Sequence, residues 1–135
     1  MKEFIWPVRV YYEDTDSGGV VYHSNYLKFL ERARTEWLRS LGIEQDHLRE
    51  QGCLFVVRKL NIEFLKAAGF NQLLEVTVIL KKLGGASLAF EQTIRSADSQ
   101  SLICTAEVNV VCVTETAGQF RACAIPAELS REMSV

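Results

Sequence analysis

The chain has 135 residues, which is enough for one domain with a complete core and too few for two typical domains. Apolar residues make up 48% and charged residues 24%, close to the averages of globular proteins, so the composition excludes a disordered chain and a coiled coil. The formal charge of -2 gives no overall attraction to nucleic acid, and we expect no nucleic-acid partner.

Neither a membrane span nor a signal peptide is expected. No apolar run approaches the roughly 20 residues that a transmembrane helix needs. The first residues, MKEFIWPVRVYYED, lack the apolar stretch and the small-residue cleavage site of a signal peptide. We therefore expect no membrane insertion.

The cysteines favour a reducing compartment. There are four of them, at Cys53, Cys104, Cys112 and Cys123, and no two form a CxxC pair. Cys104 and Cys112 fall in a stretch with the pattern of a buried strand, which is typical of reduced core thiols in a cytoplasmic protein. Only His23 and His47 could add imidazole ligands, so the spacing predicts no metal site.

The first half of the chain predicts a strand and a long helix. WPVRVYY, Trp6–Tyr12, is rich in β-branched and aromatic residues and is the first predicted strand. From about Ser24 to Leu41, apolar residues recur at three- and four-residue steps, which predicts one amphipathic helix. Ser24 or Asn25 can cap its start, and Gly42 followed by Ile43 is typical of a helix end.

The second half predicts an antiparallel sheet. A short helix is expected in EQDHLREQG, ending near Gly52, and a period of two follows it. Four strands are expected from Leu54 to Phe64, from Leu74 to Leu80, in SLAFEQTIRS and in SLICTAEVNVVCVT. QFRACAIP is an expected extension of the sheet before a short C-terminal helix. One long helix and one sheet with a single apolar face pack best when the sheet wraps the helix, an α+β arrangement. The sheet edges then favour self-association.

The loop ahead of the long helix, EDTDSGGVVYHSNY, is unusually rich in acids and glycines. Each of these residues is also common in turns and caps, so a purely structural loop is one interpretation. A calcium loop counted from Asp14 would need an oxygen ligand at Gly18 and a glutamate at Asn25, and both requirements fail. No Gly-Lys-Ser/Thr follows the glycines, which excludes a P-loop.

A functional interpretation of the same loop is acyl transfer. The first main-chain N–H groups of a helix lack helical partners and can stabilise an oxygen that gains negative charge. Gly18 and Gly19 let the main chain approach a carbonyl group, and an acid upstream could face the carbonyl carbon. The acid could act either as a nucleophile or as a general base, and a thioester suits both routes because a thiolate leaves readily.

The stretch VRVYYEDTDSGGVVYHSNYLKFLERARTEWL resembles the signature of hotdog-fold acyl-CoA thioesterases of the 4-hydroxybenzoyl-CoA thioesterase-like branch. More closely, it is similar to the bacterial family encoded beside the Tol–Pal envelope system, and FVVRKLNIEFLKAA and AEVNVVCV extend the likeness over nearly the whole chain. The resemblance implies one hotdog domain over residues 1–135, with a long helix wrapped by five or six antiparallel strands. It also implies homodimers or homotetramers with active sites between protomers.

The resemblance implies roles for individual residues. Asp16 would be the catalytic carboxylate, the main-chain amide of His23 would polarise the carbonyl, and Tyr22 would line the site. The imidazole of His23 could also orient Asp16 or a water molecule, or His23 could contribute its main-chain N–H alone. Asp14 would support the loop, and Tyr26 fits the apolar stripe of the helix. The residues expected to contact the substrate are Gly19, Val20 and Val21 around the acyl group, and Arg58, Lys59, Lys81 and Lys82 toward the phosphates of coenzyme A, with Arg95 and Arg121 as further candidates.

The expected reaction is hydrolysis of short- to medium-chain or aromatic acyl-CoA thioesters to a free acid and coenzyme A, with no cofactor. The carrier could also be acyl carrier protein. One alternative is a non-catalytic module that binds an acyl carrier or an envelope complex. Another is a hotdog dehydratase, which would need a histidine for proton transfer, and only His23 could serve.

Overall fold

A computed structural model describes residues 2–134. The helices are α1 (Asn25–Ser40), α2 (Gln45–Glu50) and α3 (Ala127–Met133), and the strands are β1 (Phe4–Arg9), β2 (Leu54–Phe64), β3 (Leu73–Leu83), β4 (Ser87–Ser96), β5 (Leu102–Thr116) and β6 (Gln119–Ala122). A single 3-10 turn, Tyr12–Asp14, lies between β1 and α1. This is the α+β hotdog arrangement that the sequence predicts. That residues 1–135 form one domain stays a prediction.

All of the strand pairs are antiparallel. The strands lie in the order β1-β3-β4-β5-β2, and β6 pairs with the C-terminal part of β5. The predicted five- or six-stranded sheet is therefore confirmed, with six strands. Strands β1 and β2 form its two edges, and β2 follows the helices in the chain.

The core lies between α1 and one face of the sheet. The helix buries Tyr26, Phe29, Leu30, Ala33, Trp37 and Leu38, which follow the spacing that predicted it. On β5 the even-numbered residues from Cys104 to Cys112 are buried, while Glu107 and Asn109 on the other face are exposed. Trp37 contacts Phe90 of β4 edge to face, with ring centroids 5.3 Å apart.

One buried polar side chain connects the helix to the sheet. Gln92 of β4 has no exposed surface, and its Nε2 donates to the carbonyl oxygens of Leu30, at 3.1 Å, and Thr77, at 3.2 Å. Its Oε1 accepts a hydrogen bond from Nη1 of Arg34 at 2.9 Å. Burial lowers the pKa of Arg34. Every hydrogen-bonding atom of the glutamine amide is thus paired, as buried polar groups require.

The C-terminal end of α1 confirms the prediction made from Gly42. Its φ is +81°, its N–H donates to the carbonyl of Arg39, and the N–H of Ile43 donates to the carbonyl of Leu38. These two bonds define a Schellman motif. Ile43 is buried and supplies the hydrophobic contact that usually accompanies it.

Two details of the N-terminal region differ from the prediction. The first strand is Phe4–Arg9 and not Trp6–Tyr12, because the chain turns at Tyr12–Asp14. Ser24 precedes α1 but makes no capping hydrogen bond with its side chain, and Asn25 uses its side-chain amide to bind the carbonyl of Asp14 instead. The prediction of a side-chain cap is therefore wrong.

Candidate active site

A tight turn holds the second acid of the loop. The N–H of Asp16 donates to the carbonyl of Val20 at 2.9 Å, and the N–H of Gly19 donates to the carbonyl of Asp16 at 3.0 Å. Gly19 has a φ of +81°, in the left-handed region that favours glycine. Oδ1 of Asp16 accepts a hydrogen bond from the N–H of Gly18 at 2.8 Å. The carboxylate is exposed, and within residues 2–134 its Oδ2 makes no hydrogen bond.

The residues that follow the turn, Val20 and Val21, are bonded to the loop after β2. Val20 forms a β-bridge with Gly69, and the N–H of Val21 donates to the carbonyl of Ala68 at 2.9 Å. Tyr26 is buried on α1, as predicted, and its hydroxyl accepts a hydrogen bond from the N–H of Ala68. Burial raises the pKa of Tyr26, so its hydroxyl stays protonated. The turn is held from both the helix and the loop after β2.

Asp14 has the contacts of a structural residue. It is 9% exposed, and its Oδ2 accepts a hydrogen bond from the N–H of Tyr11 at 2.8 Å. Its main-chain carbonyl accepts two more, from the N–H of Tyr22 at 3.0 Å and from Nδ2 of Asn25 at 2.9 Å. Asp14 therefore connects the 3-10 turn to the first residue of α1.

Two main-chain N–H groups immediately before α1 lack hydrogen-bond partners among the described residues. Among the hydrogen bonds formed within residues 2–134, none uses the N–H of His23 or of Ser24. Both groups lie at the positive end of the helix dipole, where negative charge is stabilised. An exposed carboxylate and two free N–H groups thus lie within one stretch of chain, from Asp16 to Ser24. This combination can bind and attack a carbonyl group.

Aromatic and apolar side chains surround this stretch. The ring centroid of His23 lies 4.5 Å from that of Tyr22 and 6.4 Å from that of Phe64, at the end of β2. Tyr22 and Phe64 are about half exposed, and Phe70 follows the Gly69 bridge and is 55% exposed. An apolar surface of this kind next to polar groups is typical of a binding site.

The other predicted contact residues lie in different places. Val20 is exposed on the turn, whereas the side chain of Val21 is 5% exposed and belongs to the core. Their roles as substrate contacts, and those of Gly19, Tyr22 and His23, stay predictions.

Three of the four predicted basic residues line one groove on the face of the sheet away from α1. Arg58, Lys59 and Lys82 border this groove, which has a volume of about 240 Å³. The registers align Lys59 with Asn109, Asn109 with Ala89, and Ala89 with Lys82 across four strands. Lys59 precedes Phe64 by five residues, or about 17 Å of strand. In one chain the groove is therefore remote from the turn.

The remaining basic candidates have other contacts. Lys81 pairs with Glu91 at 3.9 Å. Arg95 binds Glu75 at 2.8 Å and also pairs with Glu3. Arg121 is exposed on β6. None of these contacts brings the residues to the turn.

A second cavity, which the sequence did not indicate, lies under the middle of α1. It has a volume of about 300 Å³ and is bordered by residues of α1, α2, β2, β4 and β5, among them Arg34, Leu38 and Phe55. Arg34 follows Asn25 by nine residues, or about 13 Å of helix. The cavity is thus separate from the turn within one chain.

Comparison with known proteins identifies the family. The sequence model of the thioesterase-like superfamily matches residues 10–133. The chain belongs to this superfamily.

Relatives of this thioesterase-like chain carry matching names. The acyl-CoA thioester hydrolase YbgC of Escherichia coli is 49% identical over 110 residues, which cover 82% of this chain and 81% of that protein. The acyl-CoA thioesterase YbgC of Haemophilus influenzae is 46% identical over 127 residues, covering 93% and 90%. The predicted relationship to acyl-CoA thioesterases is confirmed. The link to the Tol–Pal system stays a prediction.

The fold of this thioesterase-like chain also matches that of solved structures. A mutant of 4-hydroxybenzoyl-CoA thioesterase complexed with 4-hydroxybenzoyl-CoA superimposes with a TM-score of 0.90, at 17% identity, over 98% of this chain and 99% of that one. At this identity the likeness concerns the fold. Within residues 2–134, no helix combines the length and the apolar character needed to cross a bilayer.

Proposed function

We propose that this protein hydrolyses acyl-CoA thioesters to a free acid and coenzyme A. Membership of the thioesterase-like superfamily supports this activity, as do two relatives named for it that match over most of their length. The observation that carries the proposal is the position of the exposed Asp16 carboxylate on the same short stretch as the free amides of His23 and Ser24. The chemistry needs an acid and oxyanion donors, and this stretch has both.

In the proposed mechanism, the thioester carbonyl oxygen accepts hydrogen bonds from the N–H groups at the start of α1. Removing one such donor from an acyl-transfer enzyme typically costs about 100- to 1,000-fold in kcat. Oδ1 of Asp16 is held by the N–H of Gly18, which leaves Oδ2 free to face the carbonyl carbon. The held oxygen fixes the orientation of the carboxylate before the substrate arrives.

Two routes use this arrangement. In the first, Asp16 attacks the carbonyl carbon, the carbon–sulfur bond breaks, and coenzyme A leaves as a thiolate that takes up a proton. Water then hydrolyses the acyl-enzyme anhydride. In the second, Asp16 takes a proton from a water molecule, and this water attacks the carbonyl directly. Both routes give the same products and require the same carboxylate.

The proposed enzyme is a homo-oligomer. Strand β2 is a sheet edge of 11 residues, and an unpaired edge of this length favours pairing with another chain. The end of β2 carries Phe64, which contacts His23. Pairing of β2 with a second copy would bring a partner chain beside the apolar surface around the turn. Such a dimer, or a tetramer built from it, would complete the acyl-binding pocket between protomers.

The proposed substrates have a short- to medium-chain or an aromatic acyl group. The exposed rings of Tyr22, Phe64 and Phe70 around the turn support this class, because apolar and aromatic surfaces bind apolar groups. Arg58, Lys59 and Lys82 are proposed to bind the phosphates of coenzyme A. We also retain acyl carrier protein as a possible carrier, a location in the cytoplasm, and the absence of a cofactor from the reaction.

The test is a thiol-release assay of the purified protein against a panel of acyl-CoA thioesters. We expect hydrolysis by the native protein and its loss, by about 1,000-fold or more, in Asp16→Asn. Glu13→Gln is the matched control, because Glu13 is an exposed acid of the same loop. Full activity of Asp16→Asn would refute the proposed mechanism. A native protein that hydrolyses nothing but binds acyl carrier protein would refute the enzymatic function.

A further inference from the structure

Three cysteines that are far apart in the sequence meet at one end of the sheet. The sulfur atoms of Cys53, Cys112 and Cys123 all lie within 4.8 Å of one another, and those of Cys112 and Cys123 are 3.5 Å apart. All three are free cysteines. The proposed thioester chemistry does not use them. A compact triangle of thiols therefore needs its own explanation.

The size of this triangle fits a metal ion. Zinc–sulfur bonds are about 2.3 Å long, so the sulfurs of a tetrahedral site are about 3.8 Å apart and those of a trigonal site about 4.0 Å. The observed separations, from 3.5 Å to at most 4.8 Å, include these values. Small rotations of the side chains would therefore complete the geometry. A disulfide, in contrast, would use two of the sulfurs and leave the third without a role.

The main chain around each cysteine is fixed in place. Cys53 follows α2, and its N–H donates to the carbonyl of Leu48 at 2.9 Å in a second Schellman motif, with Gly52 at a φ of +84°. Cys112 lies within β5, and its carbonyl accepts a hydrogen bond from the N–H of Cys123 at 2.9 Å. The three side chains thus converge from three rigid segments, which lowers the cost of assembling a site.

The triangle is accessible from one side. Cys112 is fully buried, whereas Cys53 and Cys123 are partly exposed. A recess of about 140 Å³ opens beside Cys53 and is bordered by Asp46 and Arg49 of α2. Because Cys53 borders this recess, the recess would give an ion an entry path to the triangle.

From these observations we infer that Cys53, Cys112 and Cys123 form a three-thiolate binding site for a thiophilic d10 metal ion, such as Zn²⁺ or Cu⁺. Thiolate ligands select ions of this class. Binding of a divalent ion breaks three S–H bonds, forms three metal–sulfur bonds and releases three protons, which leaves a net charge of -1 on the centre. Arg49 and Asp46, of opposite charge, both border the recess. The site is independent of the proposed hydrolysis.

No pattern along the chain indicates such a site. Cys53 and Cys112 are 59 residues apart and Cys123 lies 11 residues further on, so no short ligand motif exists. The prediction of no metal site relied on spacing along the chain. Here the β5–β6 register and the end of α2 bring the ligands together through space.

The experiment is a titration of the reduced, chelator-treated full chain with Cd²⁺ alone, followed by the ultraviolet thiolate-to-cadmium charge-transfer absorption. We expect saturation at one Cd²⁺ per chain. We also expect a higher midpoint of thermal unfolding, because the folded state alone presents the assembled site. The Cd²⁺ affinity of Cys53→Ala and of Cys123→Ala should be lower by about 10-fold or more. Replacing a residue that only supports a ligand typically lowers metal affinity by that factor, so loss of a ligand should cost at least as much.

Cys104→Ala is the matched control. Cys104 is a buried thiol on β5 outside the triangle, and burial raises its pKa to about 12, as it also does for Cys112. Its replacement should leave both the absorption and the stoichiometry unchanged. Unfolding of each metal-free variant is measured first, and alkylation of the native protein provides a second readout, in which Cd²⁺ should protect Cys53 and Cys123. Equal Cd²⁺ affinity in native protein and Cys53→Ala, or no protection from alkylation, would overturn the inference.

Discussion

The side-chain amide of Asn25 donates a hydrogen bond to the main-chain carbonyl of Asp14 at 2.9 Å. This bond joins the first residue of α1 to the start of the acidic turn. The same carbonyl oxygen also accepts a hydrogen bond from the N–H of Tyr22. The carbonyl of Asp14, before Asp16 in the chain, is thus bound to two residues that follow Asp16. We therefore expect Asn25 to help set the separation between the Asp16 carboxylate and the N–H groups just before α1.

We predict that Asn25→Ala lowers kcat by up to about 100-fold while changing stability by only about 1 kcal/mol. The kinetic effect follows because a displacement of about 1 Å can reduce catalysis that much, whereas one hydrogen bond contributes little to folding. Steady-state kinetics and urea unfolding measure the two quantities. Asn61→Ala, on the exposed face of β2, is the control. A loss of stability without a loss of kcat would contradict the positioning role.

We predict that Gly19→Ala destabilises the protein by about 1–2 kcal/mol, because a residue with a Cβ is strained at a φ of +81°. No atom lies within 4 Å of the position that the Cβ would occupy, so the cost comes from the main chain alone. Gly85→Ala is the control, since the space there is equally open and its φ is not in the left-handed region. The free energies of unfolding of the two variants are compared by denaturant titration. Equal values would contradict the prediction and show that the turn accommodates a Cβ without strain.

We predict that Gln92→Leu costs about 1–3 kcal/mol, because it leaves buried hydrogen-bonding groups of Arg34 and of the main chain without partners. The double variant Gln92→Leu with Arg34→Leu should recover part of this loss, since removing both partners of a buried pair costs less than removing one. Unfolding curves of the two single variants and the double variant test this. A double variant no more stable than Gln92→Leu would contradict the coupling.

We predict that Lys82→Ala and Arg58→Ala raise the KM for acyl-CoA about 5-fold with little change in kcat. A partly exposed charge pair contributes about 1 kcal/mol to binding. Because the phosphates are remote from the reacting carbonyl, this contribution is the same in the bound substrate and in the transition state. With a short thioester that lacks the nucleotide, the variants and the native protein should have the same KM. Lys28→Ala, on the exposed side of α1, is the control. An unchanged KM for acyl-CoA would place the phosphates elsewhere.

We predict an acid-dependent contribution to stability from Glu75. Hydrogen bonds from Arg95, and then from Gln100, lower the pKa of Glu75 below its ordinary value. A carboxylate whose pKa is lowered in the folded state stabilises the folded protein at pH values above its ordinary pKa. This stabilisation is lost as the pH falls through the lowered pKa. Glu75→Gln should therefore unfold at a lower temperature at neutral pH, and the gap should close in acid.

Glu63→Gln is the control for that series, because Glu63 makes no ion pair within residues 2–134. Thermal unfolding from neutral to acidic pH compares the three proteins. A gap between native protein and Glu75→Gln that does not change with pH would refute the electrostatic explanation.

The elements with strong periodicity could be predicted from the sequence. The apolar stripe on α1 predicted a helix from about Ser24 to Leu41, and the helix is Asn25–Ser40. The alternation of apolar and polar residues predicted a strand from Leu54 to Phe64, and β2 has these bounds. These patterns succeed because each face of the element meets one environment, core or solvent.

Other features depend on contacts that no local pattern records. Tyr12 continues the aromatic run of β1, yet the chain turns there because Asp14 binds the N–H of Tyr11. The grouping of Lys59 with Lys82 depends on the registers of four strands. The thiol triangle depends on the end of α2 and on the β5–β6 pair. Such relationships require the assembled fold.

Hydrogen bonds and a β-bridge join the turn to Ala68 and Gly69, in a segment that is distant in the chain. Catalysis and substrate selection in the proposed enzyme therefore depend largely on different segments. The proposed reacting groups all belong to the stretch from Asp16 to Ser24, whereas Phe64 and Phe70, which together with Tyr22 would contact the acyl group, belong to a different segment. Substitutions in the second segment could therefore redirect substrate choice while the reaction itself is conserved. A library confined to positions 64 and 70 would be an efficient starting point for engineering new selectivity in this protein.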